Sequence, residues 1–380
     1  MFPTYRSYFY TDLKTLLLFG GWIQLKATPS WVYKIYYIMM NGVFICIFNC
    51  LMIIFWFKNT TSIKTLAAIG YVVFICLMGQ LKSVLLFKNR AEFKKLILDL
   101  DQKLFRPIKL IEEQLVNNTF AFFWKIKTAL IVVSYISVTS LLLIPLFYER
   151  EQGLPIQAWY PFNESLTPNY QIVYVHQAIA IYYISSINIY VDVIVAGLCT
   201  FIGLQCDLLC QRLENVGEYG TEKEIKKDFV DCINHHYTII EFLQTTENVF
   251  GQIYFGQIFA STIALCMDLF LLSLTEPTTF EFFYLVVYQL AISNLLFVPC
   301  WFATEMTRKS ENIPNAAYSC HWIDLSISFK KELIIFIRRS QHPLKLYAAN
   351  FFELSVQTFL TIFRSSLSYY AVLSNLNMEE

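Results

Sequence analysis

The chain has 380 residues, 56% of them hydrophobic and 17% aromatic but only 15% charged, with a formal net charge of zero. Soluble chains carry about 25% charged residues, so this composition excludes an ordinary soluble domain. The even balance offers no electrostatic reason for nucleic acid to be a partner.

The first segment, 1–30, holds Arg6, Lys14 and Lys26, and its "LLLFGGW" is too short an apolar core, with no small-residue cleavage site, for a signal peptide. A membrane-spanning helix needs about 20 mostly apolar residues. Ile35–Phe57 is the first run without Asp, Glu, Lys or Arg. Thr65–Leu81 is the second, and Lys82 can snorkel so that the helix continues to Phe87. Between 89 and 116 charge alternates with apolar residues at helical spacing, with Phe93, Leu96, Ile97 and Leu100 on one face. Thr128–Tyr148, Ser165–Val191, Asn248–Met267 and Phe282–Thr304 are the next four uncharged runs. The stretch 221–247 contains no Gly or Pro and reads as a helix running into the fifth span. In 315–340, Trp322, Leu325, Phe329, Leu333, Phe336 and Ile337 form an apolar face and Lys330, Lys331, Arg338 and Arg339 another, before His342-Pro343 breaks the helix. Such helices can lie on the bilayer or pack together beneath it as a subunit-contact layer, and their number on one side favours the second. The seventh candidate is "TFLTIFRSSLSYYAVLSNLN", Thr358–Asn377.

Lysine and arginine set the orientation. Segments 1–30, 88–127, 204–249 and 305–350 carry three, nine, four and seven of them, against only Lys58, Lys64 and Arg150 on the other side. The N-terminus is therefore expected in the cytoplasm and the C-terminus outside. The division is a cytoplasmic segment 1–30, six spans with long cytoplasmic helical extensions in 31–304, a cytoplasmic anchor helix in 305–349, a final span in 350–377 and an extracellular tail 378–380. A G-protein-coupled receptor would have the opposite orientation. A secondary transporter would show internal repeats and Gly/Pro-broken helices, and none is evident. All ten cysteines fall in spans or cytoplasmic segments, so no extracellular disulfide is expected.

No catalytic constellation, nucleotide motif or cofactor site emerges. Cys206 and Cys210 share a helical face, but two ligands do not make a zinc site, and His235-His236 point to different faces. Asp192 and Asp268 each flank an uncharged run, which places them near an interface in reach of water. Of the three glycosylation sequons, Asn163-Glu-Ser is the plausible acceptor, because Asn59 lies too near the membrane and Asn117 lies on the cytoplasmic side.

On the last helix Thr358, Thr361, Ser365, Ser368, Val372 and Asn375 recur at steps of three and four and share a face. Two uses fit it: a helix–helix contact, since Ser and Thr join membrane helices, or the wall of a water-filled pathway closed by a ring of Val372 and Leu376. Arg364 costs about 2.5–3.5 kcal/mol facing lipid at mid-bilayer, so it should face water, a carboxylate or protein.

The stretch "AAYSCHWIDLSISFKKELIIFIRRSQHPLKLYAANFFELSVQTFLTIFRSSLSYYAVL" resembles the C-terminal signature of insect odorant receptors through Tyr318, Cys320, Trp322, Arg339, Pro343, Phe351, Phe352, Phe359, Ser366, Ser368 and Tyr369. Segment 154–177 and "FGQIYFGQIFASTIALCMDLF" are similar to that family's loop before span four and its span five. The resemblance implies an all-α, seven-helix subunit of a ligand-gated, non-selective cation channel. Four subunits would surround one pore lined by the last helix. The gate would fall at Val372 and Leu376, with Asn375, Ser368 and Ser365 along the pore. Subunit contacts would cluster in the cytoplasmic helices, here Trp322, Phe329, Leu333, Phe336, Ile337 and Pro343. The co-receptor's long insertion between spans four and five is lacking, so the chain resembles the odorant-tuning subunit, whose partner is the common co-receptor in a heterotetramer. "SYYAVLSNL" is a degraded form of the gustatory-receptor ending, which makes that branch the alternative; a metabotropic receptor is a more distant one.

The resemblance also implies a pocket in the outer half of the bundle. Topology then nominates Tyr71, Phe74, Met78, Ser137, Leu141, Ile144, Tyr174, Ile179, Tyr183, Tyr284 and Tyr288. Such a set, aromatic with a few hydroxyls, suits a small, volatile, neutral molecule and offers no partner for a charged one.

Overall fold

The computed structural model describes residues 4–19, 31–59, 63–147, 153–163 and 166–379, with side chains described for all of these except 146, 147 and 375–379. Among them the chain is almost wholly helical. Helix α1 covers Tyr5–Leu18; α2, Trp31–Tyr37, passes through a π-wound stretch, Ile38–Ile45, into α3, Cys46–Lys58. Then come α4 (Ile63–Lys88), α5 (Arg90–Asp99), α6 (Leu110–Phe147), α7 (Thr167–Glu214), α8 (Glu222–Leu274) and α9 (Phe280–Ser310). Short α10 (Ile313–Tyr318) and α11 (Ile327–Ser340) lead to a hairpin of β1 (Tyr347–Ala348) and β2 (Phe352–Glu353), and α12 (Val356–Glu379) ends the fold.

Among the described residues six helical stretches, Trp31–Lys58 through the one beginning at Phe280, are long and apolar enough to cross a membrane. The 24-residue α12 has the length for a seventh span but a more polar composition. At 1.5 Å per residue, 53-residue α8 extends about 80 Å. That far exceeds a hydrocarbon core of about 30 Å, so its first half stands clear of lipid. Thr221 starts it with a capping box: Glu224 Oε2 accepts from the Thr221 backbone N–H at 2.8 Å while the Thr221 side chain serves the third helical position.

At the basic end, the extensions of α7 and α8 pack with α1, α5 and α11. Phe105 meets Phe201 and Phe242 with ring centroids 5.2 and 5.8 Å apart, and Tyr5 donates to the Phe105 carbonyl at 3.0 Å. Phe93, Leu96, Ile97 and Leu100 are all fully buried, as the spacing in 89–116 predicts. The N-terminal segment forms part of this core: α1 buries Phe9, Leu13 and Leu16, and its Asp12 pairs with Lys127 at 2.9 Å.

Gly79 allows α4 to approach α7 closely, since a Cβ there would lie 2.9 Å from Asn188 Nδ2. The hairpin before α12 turns through Ala349 and Asn350, both with positive φ, closed by the Phe351 N–H on the Ala348 carbonyl at 3.0 Å. Gly251 of α8 leaves room for it, with Tyr347 O and Ala349 N each 3.2 Å from where a Cβ would stand. Pro343 follows the end of α11, as expected of a helix breaker.

Candidate ligand cavity and the final helix

Helices α4, α6, α7, α8 and α9, with Ile156 of the loop before α7, enclose a cavity of about 90 Å³. A water needs roughly 10–15 Å³ in this measure, so the space is that of a small organic molecule. Val72, Ile75, Val138, Ile181, Ile292 and Leu295 make its walls apolar.

Of the residues nominated from sequence, Met78, Ser137, Leu141, Tyr284 and Tyr288 line this cavity. Tyr71 stands behind the wall: its hydroxyl donates to Tyr284 Oη at 3.3 Å, and its ring lies 5.0 Å from that of Tyr288. The others lie elsewhere. Phe74 packs edge-on against Trp56, 5.8 Å between centroids. Tyr174 donates to the Leu142 carbonyl at 2.8 Å, and Ile144 is half-buried beside the core. Tyr183 Oη accepts from Asn41 of the π-wound stretch at 2.7 Å, and Ile179 is exposed on the outside of the bundle.

The floor of the cavity corrects the sequence reading. Lys82 and Asp192, expected to reach water at an interface, are 1% and 0% exposed and form an ion pair at 2.8 Å. The Lys82 ammonium also donates to the Asn188 carbonyl at 3.2 Å. Asp192 accepts further from Tyr254 at 3.2 Å and from Gln257 Nε2 at 3.0 Å. The cavity thus contains charge, but the two charges answer each other. An ionisable residue inside a membrane is by default a functional candidate with a partner to be found, and Lys82 opposite Asp192 was the available signal. It was obscured because α7 continues apolar beyond the uncharged run ending at Val191. Asp268 is likewise buried, not interfacial, and neither carboxyl oxygen has a hydrogen-bond partner among the described residues.

The cavity is connected to α12 through shared helices. Ser261 lines the cavity, while its neighbour Thr262 accepts from Ser366 of α12 at 3.3 Å through its carbonyl. Leu295 lines it too, and Phe297 one half-turn on meets Phe359 of α12, 5.2 Å between centroids.

A family model described as 7tm Odorant receptor matches residues 62–367. The chain belongs to this odorant receptor family. Odorant receptor 46a, isoform A, of Drosophila melanogaster is 23% identical over 97% of this chain and 98% of its own length. Odorant receptor 10 of Aedes albopictus is 27% identical over 58% of this chain and 60% of its own length. Among solved structures, the olfactory receptor OR5 of Machilis hrabei superposes with a TM-score of 0.88 at 19% identity, covering 98% of both chains. Its eugenol complex gives 0.87 at 18%, again over 98% of both. These matches establish a multi-pass, all-α membrane receptor that is not an enzyme.

In this receptor chain the hydroxyl edge of α12 is not sealed within its own bundle. Ser368 is exposed, Ser365 half-buried, and Val372 56% exposed. The hydroxyls are satisfied along their own helix, Ser365 on the Thr361 carbonyl at 2.9 Å and Ser368 on that of Arg364 at 3.1 Å. Arg364 is exposed on the same protomer surface. The side chains of Asn375 and Leu376 lie outside those described.

The nominated anchor residues are divided between the protomer's own core and its surface. Phe329, Leu333 and Phe336 are buried inside their own protomer, with Phe229 centroids 5.0 Å from Phe329 and 5.7 Å from Phe336. Trp322, Ile337 and Pro343 are half-buried, Trp322 donating to the Tyr318 carbonyl at 2.9 Å. That face is used to dock α11 onto α8. Ile334 and Ile335, 66% and 69% exposed, lie on the opposite side.

Proposed function

We propose that the chain is the odorant-binding subunit of a heteromeric, ligand-gated, non-selective cation channel, working with the family's common co-receptor in the plasma membrane of olfactory sensory neurons. The observation that carries this reading is the sharing of α8 and α9. Neighbouring residues, Ser261 and Thr262 on α8 and Leu295 and Phe297 on α9, face the cavity and α12, so a ligand that shifts either helix must also load the helix proposed to line the pore. Steps of one residue turn a helix by about 100°, which lets Ser261 and Thr262 serve the two faces.

On this reading, supported by the charge asymmetry, the cavity lies toward the outer side and the α5, α10 and α11 layer in the cytoplasm. A small neutral odorant entering the cavity stabilises the arrangement it fits better and shifts the population toward it. The exposed hydroxyl edge, with Val372 and by expectation Leu376 and Asn375, faces the shared axis. Ile334 and Ile335 are the apolar surface that a neighbouring subunit would cover.

Recording from cells that express the chain with and without the co-receptor tests this. Odour-evoked cation current is expected only with both. Ala291→Phe, which projects a ring into the cavity, should abolish the evoked current while surface protein persists. A current that depends on a G protein, or none with any partner and any odorant, would overturn the reading.

A further inference from the structure

The orientation of one amide on the cavity floor is forced. Asp192, paired with Lys82, is a carboxylate and can only accept hydrogen bonds. Gln257 must therefore turn its NH₂ toward Asp192, and Nε2 donates to Oδ2 at 3.0 Å. Its carbonyl oxygen, Oε1, is left facing elsewhere, buried and with no hydrogen-bond partner among the described residues. Turning the amide over would set oxygen against carboxylate oxygen. Beside it, Lys82 has three N–H donors, and among the described residues two are taken up, by Asp192 Oδ1 and the Asn188 carbonyl. Lys82 and Gln257 both line the cavity and hold opposite oxygens of the same carboxylate.

The floor thus offers one unmet acceptor and one spare donor side by side, beneath apolar walls. We infer that the cavity selects small neutral molecules bearing a hydroxyl group, whose hydrogen is donated to Gln257 Oε1 and whose oxygen accepts from Lys82 Nζ. The inference rests on the cavity being the odorant site and adds the class of ligand. Ethers, ketones, esters and hydrocarbons cannot donate and leave Gln257 Oε1 unpaired, which is costly in a buried site. An anionic acid would set its charge against Asp192, and an ammonium would set its charge against Lys82.

Isomeric pairs supply the test: 1-hexanol against methyl pentyl ether, and benzyl alcohol against anisole, which differ in the donor but not in atom count. With the co-receptor present, each alcohol is expected to reach half-maximal current at about tenfold lower concentration than its ether. Gln257→Met, similar in length and a poor acceptor, should bring the ratio close to one by weakening the alcohol. Equal potencies in the unaltered chain would overturn the inference, as would a ratio that Gln257→Met leaves intact. If that variant does not reach the surface, the ratio in the unaltered chain decides alone. Currents evoked only by odorants without a donor sink the hydroxyl site but leave the receptor reading standing. Silence toward every odorant sinks both.

Discussion

Replacing Lys82 by Met removes one half of a fully buried ion pair. At 2.8 Å and an effective dielectric constant of about 20, the lost attraction is about 6 kcal/mol. The ammonium's own desolvation, several kcal/mol, is relieved at the same time. What remains is Asp192, uncompensated, with only the neutral donors Tyr254 and Gln257. Breaking a buried pair in this way costs about 3–5 kcal/mol, roughly a hundredfold to several-thousandfold in the folded population. Lys82→Met should therefore fail to reach the cell surface or lose its monodisperse peak on size-exclusion after mild heating. The double variant Lys82→Met/Asp192→Asn removes both charges and keeps an amide for Tyr254 and Gln257, so it should recover to within about 1 kcal/mol of the unaltered protein. A Lys82→Met protein as stable as the original, or a double variant no better than the single one, would refute the reasoning.

Val372→Ala should enlarge the leak current or shift the reversal potential if this residue rings the pore; an unchanged current–voltage relation would remove it from the gate. Acid should loosen the basic-end layer. Burial holds His235 down to about 3, aided by the nearby Arg212 guanidinium, and His236 down to about 4. Both stay neutral when folded but bind protons near pH 6.5 when unfolded, so stability is present above that value and falls as pH drops toward the folded values. Between pH 7 and 5 the loss should be about 2 kcal/mol per histidine, seen as a lower unfolding temperature, and His236→Phe should flatten the slope; a pH-independent midpoint would contradict this. Asn163 is exposed, and Asn163→Gln should remove a glycan and increase gel mobility, whereas unchanged mobility would show that the sequon is unused.

The long apolar helices and the proline break after α11 were legible in the residues, because hydrophobic length and helix-breaking signals are local properties. The edge of α12 was legible for a related reason: hydroxyls at steps of three and four contrast with Phe359, Ile362 and Phe363 on the other sides. The apolar parts of α4, α6, α7, α8 and α9 that enclose the cavity gave no such contrast. They are apolar all round, so no periodicity says which face turns inward. One or two residues then decide the outcome: Ile75 and Ile181 line the cavity while Phe74 packs against Trp56 and Ile179 is exposed. The same holds at α11, where an amphipathic face meant for some partner found it in Phe229 of its own protomer. The sequence by itself determined a helical membrane protein of a recognisable kind. Only the tertiary structure could bring Lys82 to Asp192 across 110 positions and orient Gln257 over them, because pairing between distant helices depends on how each is rotated about its axis.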